Sequence, residues 1–362
     1  MNYSGRVQAL QKELVRLGFD ALLIAHLPNV RYLSGFTGSS GVLLIFPSGS
    51  FFFSDGRYKE QARAEVKVAK VVIGQRSAMV RAAEWLVTRR KAAKSRLRLG
   101  IEGEHLSVAE RRRLVSLLPQ HIIIREAPPL TERMRMIKDG DEIALIREAV
   151  RAGANLFDVA VGGIRPGASE GEVAGQMEFA ARKAGADGMS FETIIASGVR
   201  SALPHGRAST TSIAQGFVVC DFGVILHGYC SDRTRTVYVG SATEDARRVY
   251  GAVLEAQLAA IDAVRPGASV GSVDHAARKV LRKNGLAKYF THSTGHGVGL
   301  EIHEAPRVAK GQPELLHPGM VITVEPGVYL PGKWGVRIED MVVVTEHGCE
   351  VLDPTRKEFI VI

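Results

Sequence analysis

The feature that most constrains the fold of this chain is an internal repeat in its second half. The hexapeptide IRPGAS at residues 164–169 returns as VRPGAS at residues 264–269. Each copy lies between two segments with the apolar spacing of amphipathic helices, and a glycine ends the second segment in both, Gly185 and Gly285. Two copies are too few for a solenoid, so we expect one domain of two similar halves with a cleft between them.

The first part of the chain, residues 1–128, reads as a separate domain. Apolar residues spaced three and four apart predict helices, and short apolar runs predict strands. The clearest examples are residues 7–17 for a helix and residues 21–25, 41–46 and 51–53 for strands. This alternation predicts an α/β domain. The pair Pro128-Pro129 continues neither a helix nor a central strand, so we place the boundary there and expect an α+β domain over residues 129–362.

Composition excludes several classes of protein. Of the 362 residues, 46% are hydrophobic and 23% are charged, which is the balance of a globular protein rather than a disordered one. No apolar run approaches the roughly 18 residues that span a bilayer, and the polar N-terminus does not read as a secretory signal. The three cysteines are too few for a disulfide framework, so we expect a cytoplasmic protein with no membrane partner.

The positive charge of the chain is concentrated in its first domain. The formal net charge is +9, and the densest basic run is TRRKAAKSRLRL at residues 88–99. Aromatic residues are not interleaved with these basic ones, and no nucleic-acid-binding motif accompanies them. We therefore interpret the run as a solvated surface and expect no nucleic-acid partner.

Four carboxylates of the second domain stand at apolar, strand-like runs. Asp221 follows Val-Val-Cys, and we expect it to point the same way as Asp232 from the neighbouring strand of an antiparallel hairpin. Glu325 ends the run MVITV, and Glu339 lies among alternating apolar residues. Burying a carboxylate without a partner carries a large free-energy penalty, so this set predicts bound cations.

A histidine completes the set. His296 lies between two glycines in the segment STGHGVGL, which leaves it room to approach an ion. One imidazole and four carboxylates suit hard or borderline cations rather than a zinc site built on thiolates. Two ions about 3.5 Å apart use five such ligands more economically than one ion does. We therefore expect two divalent metal ions, with Mn²⁺ as the first choice and Co²⁺ or Zn²⁺ as substitutes.

Six further motifs follow one another in order along the chain: NVRYLSGFTGSSG, FSDGRY, LPHGR, GHGVGLEIHE, TVEPGVY and GVRIED. With these motifs the chain resembles the pita-bread metallopeptidases of the Xaa-Pro dipeptidase (prolidase) and Xaa-Pro aminopeptidase (aminopeptidase P) type. The first two motifs resemble the creatinase-like N-terminal domain of those enzymes. The resemblance implies a pita-bread catalytic domain of two pseudo-symmetric halves, which hydrolyses the bond before proline in short peptides.

The same resemblance implies how the metal ligands are shared. Asp232 and Glu339 would bridge both ions. Asp221 would hold one of the ions, and His296 and Glu325 would complete the other.

Catalytic roles are implied as well. Glu325 would take a proton from the attacking water and pass it to the proline nitrogen. His303 would stabilise the tetrahedral oxyanion, while His205 and His292 would position the substrate and balance protons. Arg337 would orient the carboxylate of Glu339, which lies two residues after it.

Substrate length depends on whether the carboxylate of proline is recognised. Arg307 matches an arginine that prolidases use for this carboxylate, and a planar guanidinium suits bidentate contact with it. Arg307 therefore favours the dipeptidase, with an aminopeptidase acting on longer peptides as the alternative. A non-catalytic binding module on the same scaffold is a third hypothesis, which the intact ligand set disfavours. From the resemblance alone we also expect a homodimer.

Overall fold

A computed structural model describes residues 1–90, 96–353 and 355–362, so residues 91–95 of the basic run lie outside the described residues. The chain divides into two compact units, Met1–Arg135 and Met136–Ile362. Within the described parts of the chain, no helix is long and apolar enough to cross a membrane.

The first unit is built on a six-stranded sheet. Its strands are β1 (Ala21–Ile24), β2 (Val42–Phe46), β3 (Gly49–Asp55), β4 (Lys70–Gly74), β5 (Leu97–Glu102) and β6 (Ile122–Ala127). Its helices are α1 (Tyr3–Leu17), α2 (Leu27–Ser34), α3 (Lys59–Glu65), α4 (Ala78–Arg90), α5 (Val108–Leu117) and α6 (Leu130–Met136), which ends one residue beyond the unit. The strand order is β4-β3-β2-β1-β5-β6, in which the pairs β1–β2 and β2–β3 are antiparallel and the pairs β3–β4, β1–β5 and β5–β6 are parallel. Leu23, Leu44 and Leu99 are fully buried in its core, and the α/β prediction is confirmed.

Helix α6 accounts for where the units divide. The sequence predicts a boundary after residue 128, whereas the first unit extends to Arg135. Arg135 donates to the Asn29 side chain through Nη1 at 2.7 Å, and Asn29 in turn donates to Glu132. These bonds, with the burial of Leu130, attach the helix that follows the two prolines to the first unit.

The second unit begins with two long helices and contains the remaining elements. The helices are α7 (Gly140–Gly163), α8 (Glu170–Lys183), α9 (Glu244–Asp262) and α10 (Val270–Lys283). The strands of the first half are β7 (Gly188–Met189), β8 (Ile194–Ser197), β9 (Gly216–Phe222), β10 (Val224–Leu226), β11 (Tyr229–Cys230) and β12 (Arg233–Val239). Those of the second half are β13 (Gly295–Gly297), β14 (Glu304–Val308), β15 (Val321–Val324), β16 (Gly327–Leu330), β17 (Trp334–Arg337), β18 (Asp340–Val344) and β19 (Cys349–Val351).

The repeated hexapeptide forms the turn between two packed helices in each half. Gly167 and Gly267 have φ angles of 88° and 77°, a left-handed conformation that glycine adopts without strain. Ser169 and Ser269 then cap α8 and α10, because each side chain accepts a hydrogen bond from a backbone N–H of the first helical turn. The repeat is therefore a turn-and-cap signal used twice.

Each half of the second unit has its own hydrophobic core. In the first half, α7 and α8 pack on the sheet β12-β9-β8 through Leu156, Val173, Met177, Val218 and Val237. In the second half, α9 and α10 pack on the sheet β14-β13-β15-β18-β19 through Val253, Val273, Leu281, Ile322 and Val342. The predicted α+β domain of two similar halves is thus confirmed.

Candidate metal centre

Strand pairing brings the two aspartates to one face of the first sheet. Asp221 lies opposite Thr234 in the antiparallel β9–β12 pair, and Asp232 is two residues from Thr234. Because side chains two residues apart on a strand share a face, Asp221 and Asp232 point the same way. Short strands β10 and β11 separate them along the chain, where the sequence predicted a single turn.

The two glutamates lie at one end of a second antiparallel pair. Glu325 follows directly after β15, and Glu339 directly precedes β18. Val324 is paired with Asp340, so the two glutamates are brought together where these strands end.

His296 lies in the middle of β13, between β14 and β15 of the same sheet. Its neighbouring glycines are required by the backbones around them. A Cβ on Gly295 would lie 1.9 Å from the Thr323 carbonyl oxygen, and one on Gly297 would lie 2.2 Å from that of Ala305. Glycine therefore lets the strand that carries His296 approach its neighbours closely.

These elements assemble a compact group of donors. Asp232, His296 and Glu339 each offer a ligand atom, and these atoms lie within 4.8 Å of one another. The imidazole Nε2 of His296 is 3.5 Å from Asp232 Oδ2 and 3.4 Å from Glu325 Oε1. The other ring nitrogen, Nδ1, lies 3.0 Å from the carbonyl oxygen of Gly297. Since a carbonyl only accepts, Nδ1 carries the proton and the Nε2 lone pair of the neutral ring faces carboxylate oxygens.

Two carboxylate oxygens of the group have no hydrogen-bond donor among the described residues. Asp221 Oδ1 and Glu339 Oε1 are both buried in this way. Their companion oxygens are bonded, since Arg337 donates to Asp221 Oδ2 and Thr234 donates to Glu339 Oε2 at 2.7 Å. Buried acceptors without donors, aimed into one cluster, are what a cation would satisfy.

The pKa shifts of the clustered carboxylates and of His296 also indicate a cation site. Burial raises the pKa of Glu325 to about 8, and burial together with neighbouring carboxylates raises the pKa of Asp232 and of Glu339 well above the ordinary range. Burial lowers the pKa of His296 to about 4, so its imidazole is neutral at neutral pH. A set of carboxylates that resist ionisation beside a neutral imidazole fits divalent cations, which bind the deprotonated ligands.

All ten residues singled out in the sequence line one cleft of about 590 Å³. They are Asp221, Asp232, His296, Glu325, Glu339, His205, His292, His303, Arg307 and Arg337. The His303 ring lies edge-on to His296, with ring centroids 4.5 Å apart, while His205 is exposed at the cleft. The structure thus places every one of these residues at the same site.

His292 is held by two hydrogen bonds. Its Nδ1 lies 2.8 Å from the Ser293 carbonyl oxygen, which requires a proton on Nδ1. Its Nε2 lies 3.0 Å from the Tyr329 hydroxyl, and Arg337 donates to that hydroxyl oxygen, so the hydroxyl proton points to His292. Burial lowers the pKa of His292 to about 4, in agreement with a neutral ring.

Arg307 faces the cleft from the strand beside His296. The two residues are directly paired between β13 and β14, and side chains paired across strands lie on the same face. The Arg307 side chain is exposed and makes no hydrogen bond or ion pair with any residue that the structure describes. Its guanidinium is available to a ligand of the cleft.

Sequence reasoning missed Thr234 and Tyr329, two hydroxyl groups that contact the Arg337 guanidinium. Arg337 donates to Asp221 and through Nε to Thr234 Oγ1 at 3.0 Å, and it is Thr234 that donates to Glu339. Arg337 therefore reaches Glu339 through Thr234 of β12, a contact between strands that sequence spacing does not show. Threonine and tyrosine in strands also match ordinary strand preference and give no separate signal.

Two family models match the sequence. Residues 144–346 match the Metallopeptidase family M24, and residues 6–137 match the Creatinase/Prolidase N-terminal domain.

Individual proteins resemble the chain over its whole length. An Xaa-Pro dipeptidase of Pyrococcus furiosus is 37% identical, over 98% of this chain and 99% of that protein. The structure of an Xaa-Pro dipeptidase from Bacillus anthracis is 38% identical with a TM-score of 0.94, covering 100% of both chains. The crystal structure of an X-Pro aminopeptidase from Thermotoga maritima is 36% identical with a TM-score of 0.88, covering 97% of this chain and 100% of that one.

Proposed function

Since this chain belongs to metallopeptidase family M24 and carries a creatinase/prolidase N-terminal domain, we propose that it is an enzyme that hydrolyses the Xaa-Pro bond of dipeptides. The observation that carries this proposal is the arrangement in the cleft. Buried carboxylates and the neutral imidazole of His296 converge there beside the exposed guanidinium of Arg307, which has no partner among the residues that the structure describes. Full-length similarity to Xaa-Pro dipeptidases supports the same substrate class.

The metal ligands in this proposal are Asp221, Asp232, His296, Glu325 and Glu339. They would hold two divalent ions, for which we propose Mn²⁺, with Co²⁺ or Zn²⁺ as substitutes. When bound, such ions lower the pKa of water and polarise a peptide carbonyl. Support for them comes from the donor set and its orphaned oxygens.

Protons are moved by residues of the chain itself. Glu325 accepts a proton from the water that attacks the carbonyl carbon before proline. As the carbon–nitrogen bond breaks, Glu325 returns this proton to the proline nitrogen, which leaves as a neutral amine. The Glu325 carboxylate lies in the cleft, with Oε1 3.4 Å from the imidazole Nε2 of His296, so it is close to the proposed metal ligands.

The histidines divide the remaining work. His303 is the donor to the developing oxyanion, since it lies beside His296 on the open side of the cleft. His292 accepts a hydrogen bond from the Tyr329 hydroxyl and donates one to the Ser293 carbonyl, which fixes its ring at the cleft, where it positions the substrate. His205, which is exposed, positions the substrate from the opposite half.

Proline explains the need for such a site. The Xaa-Pro bond is a tertiary amide without an N–H, and its ring restricts the backbone. An enzyme that grips an extended peptide through backbone hydrogen bonds loses this donor. A cleft that recognises the ring and the carbonyl does not require it.

Arg307 selects dipeptides in this account. Its guanidinium, directly opposite His296, would bind the carboxylate of the proline in a bidentate manner. An aminopeptidase that acts on longer peptides is the second candidate, and the similarity to the Thermotoga maritima X-Pro aminopeptidase favours it.

Hydrolysis of an Xaa-Pro dipeptide, its C-terminal amide and an Xaa-Pro-Yaa tripeptide distinguishes the two. We expect the free dipeptide to be preferred, and Arg307→Ala to raise KM for it at least tenfold while changing KM for the amide little. Lys310→Ala, an exposed cation on the same segment that does not line the cleft, is the matched control. Preference of the unmodified enzyme for the tripeptide would establish the aminopeptidase instead.

We further propose that the protein works as a homodimer in the reducing cytoplasm. The three cysteines, all without disulfide partners, support the compartment, and family resemblance supports the dimer. Light scattering coupled to size exclusion measures the mass, for which we expect twice that of the 39.2 kDa chain.

A further inference from the structure

Each half of the second unit contains a buried carboxylate paired with an arginine, behind the wall of the cleft. In the first half, Glu170 begins α8 and is fully buried, and Arg200 donates to it through Nε at 3.0 Å. In the second half, Asp274 of α10 is fully buried, and Arg278 donates to it through Nε at 2.8 Å. We call these pairs the Glu170 clamp and the Asp274 clamp. None of the four residues lines the cleft.

The Asp274 clamp binds the segment that carries His292. Arg278 donates to the carbonyl of Phe290 at 2.9 Å and to that of His292 at 2.6 Å. Its guanidinium also lies over the Phe290 ring, 4.2 Å from the centroid. The other oxygen of Asp274 accepts from the Thr294 hydroxyl at 2.8 Å, so the segment is held on both sides of His292.

This clamp also reaches a residue that moves protons in the proposed reaction. The Thr294 carbonyl accepts the backbone N–H of Glu325 at 2.8 Å. Because Asp274 holds the Thr294 side chain, the position of the strand end at Glu325 depends on α10. Two hydrogen bonds, from the Thr294 hydroxyl to Asp274 and from the Glu325 N–H to the Thr294 carbonyl, thus connect α10 to the cleft.

The Glu170 clamp binds the segment that carries His205 in the same way. Ser197 precedes His205 in the chain, and the Glu170 carboxylate accepts hydrogen bonds from the N–H of Ser197 at 2.8 Å and from its hydroxyl at 2.9 Å. Ser209 follows His205, and the same carboxylate accepts hydrogen bonds from the Ser209 hydroxyl at 2.7 Å and from the Ser209 N–H at 3.2 Å. Arg200 closes the loop by donating to the Arg207 carbonyl at 2.7 Å.

The two clamps occupy related places in the repeat. The carboxylate of each clamp lies on the helix that begins at the serine cap of the RPGAS turn, and each clamp holds a segment that carries one histidine of the cleft. The carboxylates differ in type and in position along the helix, so the pairs are not copies of one motif. They share a physical arrangement: a buried anion holds an arginine whose remaining donors secure backbone carbonyls.

We propose that these clamps are positioning devices for the cleft histidines, the Glu170 clamp for His205 and the Asp274 clamp for His292. The inference rests on the proposed function, because it concerns how these side chains are presented to the substrate. Their residues touch no reacting atom, and they act through the segments they hold. A displacement of about 1 Å of such a segment is enough to lower activity by about a hundredfold.

Replacement by lysine tests each clamp while keeping its charge. Arg278→Lys and Arg200→Lys retain a cation for the buried carboxylate but cannot also reach the backbone carbonyls. We expect each to lower kcat/KM for an Xaa-Pro dipeptide about ten- to a hundredfold, without loss of bound metal. Arg282→Lys, the same change at an exposed position of α10, is the matched control and should leave kcat/KM unchanged.

Double-mutant cycles decide whether a clamp acts through its histidine. Arg278→Lys leaves the bond from Thr294 to Asp274, and so the link to Glu325, in place. It should therefore lower kcat/KM less than twofold in a His292→Ala background, and its full effect should return in a His205→Ala background. Arg200→Lys should show the opposite pattern. Equal losses in all backgrounds, or no loss in the unmodified enzyme, would overturn the proposal, because a general weakening of the fold acts independently of either histidine.

Hydrogen exchange gives a readout that needs no substrate. We expect Arg278→Lys to accelerate amide exchange over residues 288–295 and Arg200→Lys to accelerate it over residues 197–209, each leaving the other segment unchanged. Unchanged exchange in both segments would refute the clamps. If the unmodified, metal-loaded enzyme cleaves no Xaa-Pro peptide, the proposed function fails, while this measurement still tests the positioning.

Discussion

Removal of the metal ions should destabilise the second unit, and the loss should grow with pH. The candidate ligand set contains four carboxylates, and among the described residues only one of them, Asp221, is paired with a guanidinium, that of Arg337. Without cations, Asp232 and Glu339 either ionise in a buried site or keep their protons. Either outcome makes the metal-free fold less stable than the metal-loaded fold at neutral pH.

The magnitude follows from binding linkage. An ion present at one hundred times its Kd adds about 2.7 kcal/mol to the free energy of unfolding, so two ions add about 5 kcal/mol. A domain of 150–250 residues shifts its Tm by roughly 2–4 °C per kcal/mol. Metal removal should therefore lower the Tm of the second unit by about 10–20 °C.

The direction of the pH dependence comes from the raised pKa values. In the metal-free fold, burial raises the pKa of Glu325 to about 8 and that of Asp232 and Glu339 well above the ordinary range. A group with a raised pKa keeps its full contribution to stability below its unfolded pKa and loses it as the pH rises through the folded value. Each such proton contributes a slope of about 1.4 kcal/mol per pH unit, so metal-free stability falls between about pH 5 and pH 8.

Differential scanning calorimetry at pH 5, 6.5 and 8, with and without Mn²⁺, measures this gap. We expect the gap in Tm to widen at each step and to disappear in Asp232→Asn/Glu339→Gln. Glu346→Gln, which changes an exposed glutamate outside the cleft, should leave it intact. A gap that is absent or equal at all three pH values would refute the reasoning.

Three other changes have definite expected outcomes. Glu325→Gln should lower kcat by about 10²- to 10⁴-fold in steady-state assays, because the proton carrier is lost; an unchanged kcat would exclude that role. Thr234→Val should weaken metal binding about 10- to 100-fold in a metal titration, since Thr234 donates to Glu339 at 2.7 Å, and an unchanged affinity would contradict this support. Lys138→Met should lower the free energy of unfolding by about 3–5 kcal/mol in urea, because it removes the ammonium that lies 3.1 Å from the buried Glu304 carboxylate. Lys138→Met/Glu304→Gln should regain much of that loss, and a double variant as unstable as the single one would argue against the ion pair.

Short sequence motifs predict much of the architecture of the second unit. The RPGAS turns predict their helices because a left-handed glycine and a serine cap are local requirements, met at Gly167 and Ser169 as at Gly267 and Ser269. Helix α2 gave no comparable signal, since it is eight residues long and most of its side chains are buried.

The carboxylates of the candidate metal centre gave a sequence signal of a different kind. Burying an unpaired carboxylate at the end of an apolar strand carries a large free-energy penalty, so the sequence around Asp221 and Glu325 alone predicts a bound cation. Asp274 and Arg278 do not, because an acid and a base four residues apart on a helix are typical of an exposed pair. Only the fold shows that Asp274 is fully buried and that Arg278 binds the segment of His292.

The most direct test of the account is hydrolysis as a function of metal content. Metal-stripped enzyme is titrated with Mn²⁺ from zero to two ions per chain, and the rates for an Xaa-Pro and an Xaa-Ala dipeptide are measured side by side. The account predicts no activity without metal, full activity near two ions and a strong preference for the proline substrate. Cleavage that is independent of metal, or equal rates for the two dipeptides, would contradict it.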